Sequence, residues 1–348
     1  MNRINSTNNK KSVKGTKRNE RYEEKPIEPK KRKKKKSKIG LFFRRIFIIL
    51  ILIIIIFGVL FYLKVKENGG GKQGIVATIL GQSIEDIENL ERINVLLLGI
   101  SEDLDSRLTD TIILCSYDPQ KQTASMLSIP RDTFVGKNKN NAKGSDKINS
   151  LYSKGVNKTI KAVEDLTDID IDYYIVVNTN ALIEIVDIIG GVEFNVPIDM
   201  DYDDPTQDLH IHLSKGVQKI DGEKAEQLLR FRHNNDNTTY PEEYGGNDYG
   251  RMRTQREFIT ETLKQSMNIK NLPKIREIVN TIFDNIDTDL DIDDIKPYLP
   301  KAVNFEVNTI ISEQLPGESE KCNNVWVFIH DKQETKKMLQ ELNDKLNS

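Results

Sequence analysis

Cysteine is scarce: Cys115 and Cys322 are the only two in 348 residues, which excludes a disulfide framework and any cysteine-rich zinc module. Cys115 sits in the apolar run TIILCSY and reads as a buried small residue, with a bridge to Cys322 left open. No G-x-S-x-G elbow and no Walker-type glycine loop occurs, so a serine-hydrolase or nucleotide-dependent route has no support. No repeat of 20–50 residues is present, which excludes a solenoid. Acidic residues are rare at the start. Residues 1–45 carry 18 Lys or Arg against 4 Glu, and the rest of the chain holds 33 basic residues against 49 acidic.

Between these two regimes lies an uncharged stretch of 18 residues, Ile46 to Leu63. That is about the length of a bilayer-spanning helix and long for the apolar part of a signal peptide. The following LKVKENGGGKQG has no A-x-A cleavage pattern, so the segment predicts a retained anchor. The run KKRKKKKSK and the pair Arg44-Arg45 then place the N-terminus in the cytoplasm and everything after Leu63 outside. The basic run could also be read as a nucleic-acid or nuclear-targeting patch. Its position directly before the span favours a topology signal that touches anionic lipid, and no nucleic-acid partner is expected.

Beyond the span the pattern alternates. INVLLLG, DTIILCSY, ASMLSIP, YYIVVN, VEFNVP and VWVFIH predict strands. TIKAVEDLT, ALIEIVDII, DGEKAEQLLRF, RMRTQREFITETLKQSM, NLPKIREIVNTIF and QETKKMLQELNDKL predict helices, with Asp221 as an N-cap and IDDIKPYL as a further short helix. This is an α/β pattern. The expected organisation is a largely disordered basic tail over 1–45, a transmembrane helix over 46–63 and a linker with an approach helix over 64–92. A domain core follows over 93–270, with an extension of the same domain over 271–348.

Arginine is also sparse after the span, with nine against 24 Lys, and it is gathered rather than spread. Arg107 and Arg131 stand singly, whereas Arg230, Arg232, Arg251, Arg253 and Arg256 form a group. Solvating an acidic domain needs no such gathering. Gripping phosphate oxygens does, because the planar guanidinium offers paired donors that match them. For Arg230 and Arg232 alone, an ordinary helix C-terminus is a sufficient explanation. Arg256 is not so easily dismissed, because it shares a helical face with Met252, Ile259 and Leu263 and there needs a partner or a pocket.

The loop GISEDLDSRLTDT supplies Glu102, Asp103, Asp105 and Asp110 after an apolar strand, hard oxygen donors of the kind magnesium takes together with substrate phosphate. In SIPRDTFV, Pro130 has no N–H and confines Ile129 to extended geometry, so the strand ends there and Arg131-Asp132 stand at its tip. His210 and His212 in LHIHL alternate as strand residues do, and a solvent-facing strand explains them better than a metal pair.

SRLTDTIIL, SIPRDTFV, KINSLY, LSKGVQKIDGEKAEQLLRFRH and NDYGRMRTQREFI, in this order, resemble the LytR-CpsA-Psr family of membrane-anchored cell-wall glycopolymer transferases. The likeness begins at Asn94 and ends near Ile259, about half the chain. It implies a central mixed β-sheet flanked by helices behind a single N-terminal transmembrane helix. The implied activity is transfer of a glycopolymer such as teichoic acid or capsule from a polyprenyl-pyrophosphate carrier to peptidoglycan, outside the cell membrane. Carried over onto this sequence, the pyrophosphate-gripping residues are Arg107, Arg131, Lys147, Arg230, Arg232 and Arg251, with Asp248 among them. The implied ion is Mg²⁺ or Mn²⁺ on Asp110, with Asp103 as a second carboxylate, and Asp110, Arg131 and Asp132 form the catalytic group. Two positions depart from the family pattern: Ser101 replaces an aspartate in the metal loop, and Thr254 replaces an arginine. An insertion, NNDNTTYPEEYGGN, separates the two arginine segments.

The carrier is a long hydrocarbon, so an apolar tunnel is expected between the strands INVLLLG and YYIVVN and the helices ALIEIVDII and REFITETL, with SIPRD at its mouth. The competing expectation is an ordinary filled core. Other functional readings are a pyrophosphatase on the same carrier, with water in place of the hydroxyl, and a non-catalytic envelope-binding or regulatory protein.

Overall fold

A computed structural model describes residues 38–100, 108–206, 209–266, 268, 271 and 275–347. The first helix, α1, covers Lys38–Glu67, and within it Ile46–Glu67 is long and apolar enough to cross a membrane. Large apolar side chains from Ile46 to Leu63 are exposed, as in a lipid-facing helix.

The unit Phe57–Ser348 holds the remaining elements. It opens with α2 (Gly71–Leu80) and α3 (Ile84–Glu88), the latter started by a capping box between Ser83 and Asp86. The glycines of GGGKQG predict a linker, yet Gly71 starts a helix. Tertiary burial overrides composition there, because Val76 and Leu80 pack against Ile275, Val279 and Val303.

Three strands follow, β1 (Ile93–Ile100), β2 (Thr109–Asp118) and β3 (Thr123–Ser128), and then α4 (Val156–Thr167), β4 (Tyr173–Asn178) and α5 (Thr179–Ile189). Four short strands come next: β5 (Val192–Val196), β6 (Met200–Asp204), β7 (Leu209–Leu213) and β8 (Gly216–Ile220). The arginine-bearing helices are α6 (Gly222–Arg230) and α7 (Asn247–Ser266). The last part runs through α8 (Ile275–Asn285), β9 (Asp287–Thr288), α9 (Ile292–Ile295) and α10 (Leu299–Ala302). It finishes with β10 (Ile311–Gln314), β11 (Gly317–Cys322), β12 (Val325–His330) and α11 (Lys332–Asn347).

The central sheet has the order β10-β3-β2-β1-β4-β9. Pairing is parallel for β1–β4 and β3–β10 and antiparallel for β1–β2, β2–β3 and β4–β9, so the sheet is mixed, as expected. Side chains alternate across it. Leu96 and Leu98 of β1, with Ile112 and Leu114 of β2, face a filled core that includes Val163 of α4 and Phe328 of β12. A second core gathers Phe194, Ile211, Leu228 and Phe258 from β5, β7, α6 and α7, with Phe231 at the C-cap of α6. Leu97 and Val177, on central strands, remain only half-buried. The reason is a cavity on their side of the sheet, closed by α5, α6 and α7.

Both thiols are free, with Cys115 half-buried on β2 and Cys322 buried on β11, which closes the option of a bridge between them.

Candidate active site

The cavity has a volume of about 570 Å³, within the usual range for ligand sites. Leu97 of β1, Leu182 and Ile185 of α5, and Phe258, Ile259 and Leu263 of α7 give it apolar walls. Arg131, Arg230, Arg232, Arg251 and Asp110 line the same space. The cavity therefore stands where the sequence places a tunnel, between the two strands and two helices named above.

Backbone geometry delivers the polar groups. Ile100 pairs with Thr109 but Gly99 with Thr111, so Asp110 is the extra residue of a β-bulge and is turned out of the ladder. Gly99 permits this, since a Cβ there would lie 2.9 Å from that of Thr111. At the end of β3, Ile129 N still donates to Ile112 O at 2.9 Å, after which Pro130 ends the ladder and its carbonyl accepts from Thr133 N at 2.9 Å. The tip is clamped from both sides: Phe328 N donates to Asp132 O at 2.8 Å and Asn149 N to Arg131 O at 3.1 Å. Arg131 and Asp132 thus project from a fixed backbone.

Arg131 is hydrogen-bonded through Nη1 to Asp110. Burial works against its charge, but Asp110, Asp248 and Asp132 outweigh burial and hold its pKa above the ordinary arginine value. Arg230, at the end of α6, donates to Glu226 Oε1 at 2.7 Å. Asp221 caps that helix by accepting from Lys224 N at 3.0 Å, as the sequence predicts. Phe231 is fully buried and anchors the segment between Arg230 and Arg232. Asp248, in the first turn of α7, lies 2.9 Å from Arg251 Nη2 and 3.2 Å from Arg232 Nε. These are ion pairs by distance only, because neither N–H is directed at Asp248 Oδ1, which has no hydrogen bond.

Arg251 is 4% exposed. Burial, reinforced by repulsion from Arg131 and Arg232, pulls its pKa below the ordinary value despite Asp248. A guanidinium stays protonated regardless, so Arg251 is a buried cation whose charge Asp248 offsets only in part. Arg131 Nε and Arg251 Nε are moreover buried without a hydrogen-bond partner. Two orphaned donors on mutually repelling cations are what an anion would satisfy.

Other residues singled out in the sequence fall elsewhere. Lys147 Nζ donates to Asp132 Oδ1 at 2.8 Å, and this pair does not line the cavity. Arg256, expected to need a partner or pocket, donates to Ser128 Oγ at 2.7 Å and is buried against the last residue of β3. Arg253 is half-exposed, lies 4.3 Å over the Tyr244 ring and donates to Glu257. Thr254, at the position of the family's arginine, is fully buried, donates to Gly250 O and meets Tyr244 OH. Asp103 and Arg107, with Ser101, Glu102 and Asp105, lie outside the described residues. Sequence reasoning missed Glu226, whose spacing of four residues before Arg230 could have shown the pair, and Gln255, which lines the cavity and donates to Leu229 O at 3.2 Å.

The insertion props up the arginine segments. Tyr240 is 2% exposed, stacks on Tyr244 and meets Phe231 edge-on. Its ring packs onto Gly250, one residue before Arg251, where an added Cβ would lie 2.4 Å from Tyr240 Cγ. Gly250→Ala is therefore expected to destabilise the fold by roughly 1–3 kcal/mol through overpacking, although alanine in an open helix would gain about 1 kcal/mol. The midpoint of urea unfolding reads the sign.

The cavity thus joins an apolar interior to a guanidinium cluster, a combination with the chemistry to take an amphiphilic anion. The chain belongs to the LytR_cpsA_psr family, whose model matches residues 63–344. It is 30% identical over 270 residues, 76% of this chain and 81% of the relative, to the polyisoprenyl-teichoic acid–peptidoglycan teichoic acid transferase TagU of Bacillus licheniformis. Biofilm regulatory protein A of Streptococcus mutans is 29% identical over 255 residues, 68% of this chain and 60% of that protein. Among solved structures, the crystal structure of B. subtilis TagV matches with a TM-score of 0.62 at 26% identity, covering 74% of this chain and 98% of that one.

Proposed function

We propose that this protein transfers a glycopolymer from a polyprenyl-pyrophosphate carrier to a hydroxyl of peptidoglycan. The observation that carries this reading is the cavity itself, whose apolar interior borders Arg131, Arg230, Arg232 and Arg251. The TagU relative is named for such a transfer from a polyisoprenyl carrier.

In this reading the polyprenyl chain occupies the interior, where burial stabilises it by about 0.8 kcal/mol per CH₂. The pyrophosphate stops at the arginines that line the cavity, Arg131, Arg230, Arg232 and Arg251. The acceptor oxygen bonds to the phosphorus that carries the glycan. The bond from that phosphorus to the bridging oxygen breaks, and polyprenyl monophosphate leaves with the electron pair. Negative charge grows on the leaving phosphate, and the fixed guanidiniums stabilise it without reorganising. The acceptor proton passes to a carboxylate, for which Asp110 at the cavity wall, when it carries no ion, and Asp132 are the candidates. Asp132 lies one step back, where it holds Lys147.

A magnesium or manganese ion fits Asp110, which is 34% exposed at its side chain and offers the single carboxylate such an ion commonly takes together with substrate oxygens. Bound there, it would supply further neutralisation of phosphate charge. Chelation of divalent ions is expected to suppress transfer, with Mg²⁺ or Mn²⁺ restoring it. Full activity in EDTA would remove the ion from the reaction.

The substrate side requires the domain to be external, which agrees with the basic cluster before α1. Protease added to intact protoplasts should digest the domain; protection of it with cleavage of the tail would reverse the orientation. The function is tested with the detergent-solubilised full chain, a polyprenyl-pyrophosphate oligosaccharide and peptidoglycan oligomers. The expected product is oligosaccharide joined to peptidoglycan through phosphate. Release of the oligosaccharide phosphate to water, with peptidoglycan present and unmodified, would indicate a pyrophosphatase instead.

A further inference from the structure

The hairpin of β6 and β7 has two different faces. Tyr202 and Leu209 line the cavity on one side. On the other, Asp201, Asp203, His210 and His212 stand exposed, and the register pairs Asp203 with His210 and Asp201 with His212. The solvent-face reading of LHIHL therefore holds. What that sequence could not show is that the facing strand, MDYDD, sets a carboxylate opposite each imidazole.

We propose that Asp203, His210 and His212 form a binding site for a borderline-soft divalent cation, zinc first, on the outer wall of the cavity. His210 Nδ1 lies 2.5 Å from Asp203 Oδ1, and His212 Nε2 lies 3.5 Å from the same oxygen. One ligand atom from each of the three residues falls within 4.8 Å of the others. Zinc held at about 2.0–2.1 Å from each donor needs ligand atoms roughly 3.3 Å apart, so the groups have only to shift slightly about their side-chain torsions. Asp201 Oδ1 lies 2.8 Å from His212 Nδ1. This carboxylate–imidazole contact fixes the ring and its tautomer and leaves Nε2 to ligate, the usual outer arrangement around a metal-bound histidine. Two imidazoles with one carboxylate favour zinc, nickel or copper over magnesium.

A second, independent feature is the rigidity of the acidic strand. Asn234 Oδ1 accepts from Asp201 N at 2.7 Å, and Asn235 Oδ1 accepts from Asp203 N at 2.7 Å. Asn235 Nδ2 also donates to Asp203 O at 3.1 Å. The first residues of the insertion thus act as an outer brace on β6 and hold the backbone of both aspartates. An ordinary pair of cross-strand His–Asp contacts accounts for the two short distances. It does not account for the convergence of a second imidazole on Asp203, and the asparagine brace keeps the backbone of that strand in place. An ion here would staple β6 to β7 and stiffen a wall of the cavity from outside, without entering the reaction.

The test titrates Zn²⁺ into the detergent-solubilised full chain in excess Mg²⁺, with a chromophoric chelator as competitor, and measures melting temperature in parallel. The wild type is expected to bind one zinc and to melt higher in its presence. His210→Gln combined with His212→Gln should lose that zinc and the thermal gain while melting normally in zinc-free buffer, and Asp203→Asn should weaken binding. Transfer activity measured in Mg²⁺ alone should be the same in the histidine variant as in the wild type. Zinc binding and thermal shift that survive the double substitution, or no zinc bound by the wild type, would overturn the proposal.

Discussion

Arg131→Ala is expected to lower transfer by about 10²–10³-fold, the scale seen when a fixed group that stabilises transition-state charge is removed. Stability should change little. The side chain is 21% exposed and makes one ion pair, so its loss leaves Asp110, itself 34% exposed, to be hydrated rather than stranded. Arg131→Lys should remain far below wild type, because a single ammonium cannot replace both the Nη1 bond to Asp110 and the free Nε donor. Equal activity in either variant, measured with the oligosaccharide assay, would take Arg131 out of the mechanism.

Ile259→Trp is the second substitution with a large expected effect. Ile259 lines the cavity from α7, four residues beyond Gln255 and on the same face as Leu263. An indole there enters open space, so the fold should tolerate it while the hydrocarbon loses its place. Transfer with a full-length polyprenyl carrier is expected to fall by about 10²-fold, which is the loss of only about three buried CH₂ groups. A water-soluble short-chain analogue should be affected much less. Equal losses with both carriers would show that the residue acts on the phosphate end or on folding, not on the lipid.

The parts of the molecule that were legible in the sequence have one physical property in common. β1 to β4 and β12 are apolar runs bounded by glycine, proline or charge, and burial dictates both their period and their ends. β6, β8, β10 and β11 carry too many polar residues to stand out; MDYDD has only Met200 buried. Its strand character depends on pairing with LHIHL and on the asparagines behind it, which are tertiary facts. The helix in place of a glycine linker at Gly71 has the same origin, in contacts with Ile275, Val279 and Val303, far along the chain.

The site shows a similar division. The family resemblance pointed to Arg131, Arg230, Arg232 and Arg251, and the structure brings these four to one cavity. Spacing alone could not separate them from Arg256, which serves Ser128 at the end of β3, or from Arg253, which lies on Tyr244. Nor could it show that Asp132 is spent on Lys147 while Asp110 is turned outward by a bulge. Register and burial decide such roles, and neither is written in the motif.

The central claim is that one cavity receives the hydrocarbon while the arginines receive the pyrophosphate, and photocrosslinking tests it most directly. A polyprenyl pyrophosphate with a diazirine several isoprene units from the phosphate would be bound to the full chain, irradiated and mapped by peptide mass spectrometry. Adducts on Leu182, Ile185, Ile259 or Leu263, lost in Ile259→Trp and competed by unlabelled carrier, are the predicted result. Adducts confined to α1 or to the domain surface, unchanged by that substitution, would contradict the account.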